Sequence, residues 1–243
     1  MSIFTVKALN YTIDKTPILK DISFSLEKGS LTLLCGQNGS GKSMLLKCLK
    51  GLLSPTSGSI TVKEVQLKKK ERMKQIGLVF QDAEIAIVGQ TVEKDIAFGL
   101  ENLNYESHVI ETKTNELLQQ FSLEEIKTHH PFTLSGGEKR RLTLAGVLAM
   151  NIEVLLLDEP FANLDYPSTL LVLETLIKLK EEGHTLLVVS HEVEKLIALS
   201  DHLLIMNHGS IVYDGKPEEG LEDLKKNNIY VPSLPFKEMT WLA

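Results

Sequence analysis

The sequence has little cysteine and no long apolar run, and both shortages narrow what the chain can be. Its 243 residues include two cysteines, Cys35 and Cys48, which excludes a disulfide framework and favours thiols buried in a reducing compartment. The longest apolar runs are short, such as residues 154–157, whereas a membrane-spanning helix needs about 18 apolar residues. The N-terminus also lacks the apolar core of a signal peptide. We therefore expect a cytosolic chain that reaches a membrane only through a partner.

An excess of positive charge is missing as well. Lys and Arg number 26 against 32 for Asp and Glu, which gives a formal net charge of −6. Such a balance provides no general attraction to nucleic acid or anionic lipid, so no nucleic-acid partner is expected. Apolar residues at 43% and charged residues at 24% are close to the globular average and exclude a disordered chain. The length indicates one large domain, or one and a half.

Alternating strand and helix signals predict an α/β fold. The first 30 residues alternate polar and apolar side chains, which predicts antiparallel strands with one solvated face. Continuous apolar runs at 31–35, 154–157 and 185–190 predict buried strands, and residues 42–50, 167–182 and 191–199 have helical spacing. This alternation favours a parallel sheet with crossover helices. Residues 202–215 predict a hairpin, and the lysine-rich residues 67–75 predict a solvated surface.

Residues 91–150 have a different pattern. Apolar residues recur there at three- and four-residue spacing, which predicts helices at about 91–101, 107–121, 123–128 and 136–150. We expect a helical subdomain at 91–150, inserted into a core made of residues 1–90 and 151–217. Residues 218–243 are expected to form a short C-terminal tail.

A glycine-rich segment between a predicted strand and a predicted helix matches the phosphate-binding pattern G-x-x-x-x-G-K-[ST]. Its glycines let backbone N–H groups curl toward phosphate oxygens, and the following helix adds its positive N-terminal end. In this pattern the lysine reaches the β- and γ-phosphates, and the hydroxyl that follows it holds Mg²⁺. The alternative is an ordinary glycine-rich turn. The segment comprises Gly36, Gln37, Asn38, Gly39, Ser40, Gly41, Lys42 and Ser43.

Polar side chains follow three of the other predicted strands. Asp158 and Glu159 end the strand at 154–157, on the sheet edge where open α/β folds bind ligands. Asp158 suits the Mg²⁺ shell and Glu159 suits a general base for the attacking water, although acidic residues also close strands without a function. His191 follows the strand at 185–190 and could contact the γ-phosphate, or it could cap a helix. Gln81 follows the strand predicted at 75–80 and could ligate Mg²⁺, although a glutamine at a strand end means little alone.

The segment Ser135-Gly136-Gly137-Glu138 opens the helix predicted at 136–150. Ser135 and Glu138 have the spacing of a capping box, so the segment could be an ordinary helix start. Two adjacent glycines argue against that interpretation, because each costs a helix about 1 kcal/mol relative to alanine. Glycines are useful where a ligand approaches the backbone, and a helix N-terminus attracts anions. One chain would then hold two different half-sites, and two chains facing head to tail would complete both.

Taken together, these motifs resemble the nucleotide-binding subunit of ABC transporters. The set comprises the phosphate loop, Gln81, LSGGE at 134–138, LLLDE at 155–159, NLD at 163–165 and His191. The resemblance implies a P-loop NTPase core with a RecA-like sheet, an N-terminal antiparallel β region and a helical subdomain carrying LSGGE. It also implies a dimer that sandwiches two ATP molecules with Mg²⁺, each bound by one phosphate loop and by Ser135, Gly136 and Gly137 of the other subunit. Asp165 would lie at the dimer seam, and Tyr11 would stack on adenine unless it is a packed strand tyrosine.

A narrower resemblance is to the ATPases of energy-coupling factor transporters, which import vitamins or transition-metal ions. It rests on residues 77–81, 87–103 and 145–150, and it departs from that group at residues 83–86, where AEIA replaces a Pro-Asp-x-Gln run. The resemblance implies a transmembrane partner subunit and a peripheral position on the cytoplasmic side of the membrane. A soluble ABC ATPase acting on nucleic acid or ribosomes is the alternative. A small-molecule kinase would give no reason for LSGGE.

Overall fold

A computed structural model describes residues 2–242. Its strands are β1 (Ser2–Ile13), β2 (Thr16–Glu27), β3 (Leu31–Gly36), β4 (Ser57–Val62), β5 (Val65–Gln66), β6 (Ile76–Val79), β7 (Val154–Asp158), β8 (Thr185–Val189), β9 (His202–Asn207) and β10 (Ser210–Gly215). Its α-helices are α1 (Lys42–Lys50), α2 (Lys69–Gln75), α3 (Val92–Asn102), α4 (Ser107–Gln120), α5 (Gly136–Ala149), α6 (Tyr166–Glu181) and α7 (Leu221–Lys226). Within these residues, no helix is both long and apolar enough to cross a bilayer.

The chain divides into two compact units. Among the described residues, the first comprises 2–78, 153–159 and 173–242, and the second comprises 79–152 and 160–172. The first unit therefore contains the phosphate loop and the carboxyl ends of β7 and β8. The second contains the segment Ser135-Gly136-Gly137-Glu138 and Asp165.

Two sheets organise the strands. One has the order β2-β1-β4-β5 with antiparallel neighbours, as the alternating pattern of the first 30 residues predicts. The other has the order β10-β9-β3-β8-β7-β6, in which β9, β3, β8 and β7 are parallel neighbours. Every residue of β3, β7 and β8 is buried, which explains their continuous apolar runs. In this parallel arrangement the carboxyl ends of β3, β7 and β8 lie at one edge of the sheet.

The helical segment of the second unit follows the predicted pattern closely. Helices α3, α4 and α5 pack on one another around buried side chains that include Ile96, Leu118 and Leu142. Thr91 caps α3, accepting a hydrogen bond from the Lys94 N–H through its side chain. The helix predicted at 123–128 is shorter than expected, a 3₁₀ turn over Glu124–Ile126.

One local prediction is wrong, and two others gain detail from the structure. The helix predicted at 191–199 is wrong, because two separate 3₁₀ turns occupy Val193–Lys195 and Ile197–Leu199. The predicted solvated surface at 67–75 is exposed at every residue except Leu67 and Arg72; α2 forms within it, and the Nη1 of the buried Arg72 donates to the Leu67 carbonyl at 2.9 Å. The residues expected to form a tail contain α7, and Leu224, Ile229 and Met239 among them are buried.

Candidate active site

The phosphate loop connects β3 to α1 in the first unit. Gly41 has a φ of 104°, in the left-handed region that favours glycine, and directly precedes the first residue of α1. Gly36 cannot carry a side chain, because a Cβ there would lie 2.4 Å from the Met206 carbonyl oxygen. At Gly39 a Cβ would meet nothing within 4 Å, so the arch of the loop is open. The local sequence therefore produces a turn whose ends are fixed and whose arch stays accessible.

Lys42 is buried and folds back over its own loop. Its Nζ donates to the carbonyl oxygens of Gly36 at 2.7 Å and Gln37 at 3.0 Å. Burial lowers the pKa of the Lys42 ammonium, and the negative charges of Glu159 and Asp158 partly oppose that decrease. A cation held on weak carbonyl acceptors can exchange them for phosphate oxygens, which are stronger partners.

Ser40 also suits a ligand. Its hydroxyl is buried and has no hydrogen-bond partner within the described part of the chain. A buried hydroxyl without a partner is costly, and a bound anion would supply one. The backbone carbonyl of Ser40 accepts a hydrogen bond from the Gly209 N–H at 3.0 Å, which holds the backbone at Ser40 in place.

The end of β7 brings two carboxylates to the same edge of the sheet. Asp158 and Glu159 are both buried, and the Glu159 backbone N–H donates to the Val189 carbonyl of β8 at 3.0 Å. Glu159 has a φ of 47°, a strained conformation for a non-glycine residue and one that clusters at functional sites. His191 Nδ1 lies 3.0 Å from Glu159 Oε2. The structure therefore places Glu159 beside His191, as the order of the strands requires.

In the second unit, the segment Ser135-Gly136-Gly137-Glu138 forms a complete capping box at the start of α5. The Ser135 N–H and hydroxyl both donate to Glu138 Oε2 at 2.7 Å, and the Glu138 N–H donates to Ser135 Oγ at 3.3 Å. These bonds from Ser135 lower the pKa of the Glu138 carboxyl. A Cβ on Gly137 would lie 2.8 Å from Ser168 Oγ, whereas a Cβ on Gly136 would meet only the Asn163 carbonyl oxygen at 4.0 Å. The contacts within the unit therefore explain glycine at 137 but not at 136.

Asp165 lies close to the same helix start within this unit. The Ser168 N–H donates to Asp165 Oδ1 at 3.0 Å, and hydrogen bonding from Ser168 lowers the pKa of the Asp165 carboxyl. Arg141 of α5 stabilises both the Glu138 and the Asp165 carboxylates electrostatically. This corner of the second unit keeps its carboxylates ionised.

Gln81 is fixed through its backbone by a residue that sequence reasoning missed. Arg140, the fifth residue of α5, donates from Nη1 to the Phe80 carbonyl at 2.5 Å and from Nη2 to the Gln81 carbonyl at 2.6 Å. No motif or spacing in the sequence singled out Arg140, so only the tertiary fold reveals this link. Tyr11 lies on β1 of the first unit, opposite Leu19 of β2, and is partly exposed.

Comparison with known proteins decides the family. A family model described as ABC transporter matches residues 19–162. The energy-coupling factor transporter ATP-binding protein EcfA1 of Caldanaerobacter subterraneus subsp. tengcongensis is 40% identical over 226 residues, which cover 90% of this chain and 81% of that protein. This chain belongs to the ABC transporter family. It is an ABC-type ATPase, and the predicted family and α/β P-loop fold are both confirmed.

Two further comparisons agree. EcfA2 of Methanospirillum hungatei is 37% identical over 213 residues, which cover 86% of this chain and 54% of that protein, so the chain spans about half the length of that relative. The solved structure of CbiO1 from Clostridium perfringens, described as part of the ABC transporter complex CbiONQ, superposes with a TM-score of 0.83 at 30% identity. That match covers 95% of this chain and 96% of CbiO1. The narrower resemblance to energy-coupling factor ATPases is thereby confirmed.

Proposed function

We propose that this chain is the ATP-hydrolysing subunit of an importer of the energy-coupling factor type, bound peripherally at the cytoplasmic side of the membrane. The observation that carries the proposal is the edge of the sheet in the first unit. There a buried lysine on a phosphate loop, a buried carboxylate with strained backbone and a histidine in contact with that carboxylate come from three neighbouring parallel strands. A lysine on the phosphates and a residue that activates or orients the attacking water are recurring parts of enzymes that hydrolyse nucleoside triphosphates, and the named relatives are energy-coupling factor transporter ATP-binding proteins.

The chemistry assigns a role to each side chain. Lys42 would leave its loop carbonyls to hold the β- and γ-phosphates, and Ser40 would donate its buried hydroxyl to a phosphate oxygen. Glu159 would accept a proton from water as the water oxygen bonds to the γ-phosphorus and the bond to ADP breaks. His191 would orient Glu159 through their 3.0 Å contact and face the γ-phosphate. Catalysis would come mainly from positioning and electrostatics.

Mg²⁺ fits the donors available. It prefers a few carboxylate, hydroxyl and phosphate oxygens together with several waters, rather than a closed protein cage. We assign it to the Ser43 hydroxyl and the Asp158 carboxylate of the first unit, and the family resemblance adds Gln81 as a further ligand. Bound there, the ion would neutralise charge that develops on the phosphates.

We assign the capping segment of α5 to the second face of the nucleotide site. Glycine at 136 is not required by contacts inside the unit, since a Cβ would make only an ordinary contact with the Asn163 carbonyl oxygen at 4.0 Å. A phosphate approaching the backbone N–H groups from outside would require it. Ser135, Gly136 and Gly137 would therefore hold the γ-phosphate of an ATP bound to a second subunit, with Asp165 at the seam and Tyr11 against adenine. The second subunit is either a copy of this chain or a related ATPase.

The transmembrane partner has a suitable surface in the second unit. Ile85, Val88 and Phe98 are 66%, 58% and 45% exposed, on the segment that leads from Gln81 into α3. A contiguous exposed apolar patch marks an interaction site, and we assign these three side chains to one. The same segment contains the AEIA run at 83–86, so its side chains would select the membrane subunit. Import of a small cargo, a vitamin or a transition-metal ion, is what the resemblance to energy-coupling factor transporters implies.

Trapping the closed dimer tests the proposal. With MgATP, Glu159→Gln should accumulate a dimer in light scattering, because nucleotide binds at both faces but is not hydrolysed. Lys42→Ala in the same background should remain monomeric. A strictly monomeric Glu159→Gln protein that binds MgATP would overturn the two-faced site.

Co-purification separates the transport function from its alternative. Capture of the tagged chain from membranes should bring a polytopic membrane protein with it, and Ile85→Asp should abolish that association. Recovery of ribosomal RNA or DNA instead would favour the soluble ABC ATPase that acts on nucleic acid.

A further inference from the structure

The segment after the β9–β10 hairpin contains a residue, Asn227, that joins the phosphate loop to β9. Asn227 is the first residue after α7 and donates from its Nδ2 to the Asp223 carbonyl at 2.8 Å. The side chain of Gln37, in the phosphate loop, donates from Nε2 to the Asn227 carbonyl oxygen at 3.0 Å. The side chain of Asn207, the last residue of β9, donates from Nδ2 to Asn227 Oδ1 at 3.0 Å. Asn227 therefore accepts one hydrogen bond from the phosphate loop and another from the end of β9.

The chain on either side of Asn227 is packed into the first unit. Leu224 of α7 and Ile229 are buried on either side of it. The start of α7 lies directly against β9, because a Cβ on Gly220 would come within 2.6 Å of Leu203 Cδ2. A carbonyl held on such a base can fix the position of a loop side chain that would otherwise be free in solvent.

The same hairpin holds the other side of the loop. Two residues beyond Asn207, the Gly209 N–H donates to the Ser40 carbonyl at 3.0 Å. Residues 37 and 40 are thus both fixed to the β9–β10 hairpin, Gln37 through Asn227 and Ser40 directly. Between them lies Gly39, where a side chain would have open space. This open part of the loop around Gly39 is the part that would face phosphate.

We propose that Asn227 is a positioning residue for the phosphate loop: its side chain, accepting from Asn207, fixes the place of its backbone carbonyl, and that carbonyl holds Gln37 and the loop in the phosphate-binding shape before nucleotide arrives. A loop that is already ordered loses less conformational entropy on binding, so the benefit is in ATP affinity. Glu159 lies on a different strand, so the chemical step should be little affected once ATP is bound. This inference rests on ATP binding at the loop, as set out above.

A double-mutant cycle on the full chain tests it. MgATP affinity is measured by calorimetry, and KM and kcat by phosphate release, for wild type, Asn207→Ala, Asn227→Ala and the double variant. Each single variant should weaken affinity and raise KM about three- to tenfold, with kcat within about twofold. The MgATP affinity of the double variant should lie within about twofold of that of the weaker-binding single variant. Both substitutions remove the same side-chain hydrogen bond between Asn207 and Asn227, so their effects should not multiply. A merely destabilised fold would lower kcat through a smaller active fraction and leave KM unchanged.

The control is Lys225→Ala, an exposed residue of α7 whose ammonium pairs with Glu222 across one helical turn, and its KM should match wild type. Single variants that bind MgATP within twofold of wild type, or effects that simply multiply in the double variant, would overturn the inference. Should Asn227→Ala fail to fold, Gln37→Leu replaces it in the cycle, because Gln37 is exposed and leucine keeps its volume. If the wild-type chain binds no MgATP, the proposed function itself is refuted. In that case Lys42→Ala could show no loss of MgATP affinity either.

Discussion

Replacing Glu159 with glutamine isolates its role as general base. The substitution keeps the size of the side chain and leaves the backbone hydrogen bond from residue 159 to Val189 in place. Glutamine can still pair with His191 Nδ1, which lies 3.0 Å from the present carboxylate oxygen. Glutamine at position 159 would adopt the same strained φ of 47° as glutamate does, so the variant should fold like the wild type.

The expected magnitude follows from what is lost. A positioned general base contributes about 10²- to 10⁴-fold to a rate. At 1.36 kcal/mol per tenfold, that is about 2.7 to 5.4 kcal/mol of transition-state stabilisation. We therefore expect kcat to fall at least about 100-fold while the affinity for MgATP stays near the wild-type value.

Phosphate release at saturating MgATP measures kcat, and calorimetry measures binding. The matched control is Glu153→Gln, at the opposite end of β7, where the carboxylate pairs with Lys63 on the surface. That variant should hydrolyse ATP at the wild-type rate, because exposed ion pairs contribute little. Turnover of Glu159→Gln within about fivefold of wild type would refute the assignment of the base, whatever the control shows.

Three further substitutions test other parts of the site. Lys42→Ala should weaken MgATP binding about tenfold or more, because charge-assisted hydrogen bonds to phosphate are lost, and unchanged affinity in calorimetry would exclude that role. Gly36→Ala should lower the free energy of unfolding by about 1–3 kcal/mol in urea titrations, since its Cβ would lie 2.4 Å from the Met206 carbonyl; equal stability would contradict the close approach. The Ser135 bonds hold the pKa of Glu138 below 4.5, so its capping contribution should be complete above pH 4.5 and fade as the pH falls through the lower folded value. The stability difference between wild type and Glu138→Gln should therefore shrink on acidification, and a pH-independent difference would exclude this linkage.

The chemistry of the site could be read largely from local sequence. The phosphate loop depends on glycine at defined spacings followed by a lysine and a hydroxyl, and those requirements are met within eight consecutive residues. Buried parallel strands carry continuous apolar runs, so the runs before Gly36, Asp158 and His191 located their shared edge in advance. The capping box at Ser135 is likewise a local pattern, and its hydrogen bonds are present in the structure.

Contacts between distant parts of the chain were decided only by the tertiary structure. Arg140 reaches the carbonyl of Gln81 across 59 positions, and Gln37 reaches that of Asn227 across 190 positions. Neither contact leaves a periodic signal, because a side chain that bonds a backbone carbonyl places no demand on the identity of the residue that supplies it. The helix predicted at 191–199 failed for a related reason. Its apolar residues are buried by packing in the first unit, so their spacing records that packing and not a continuous helix.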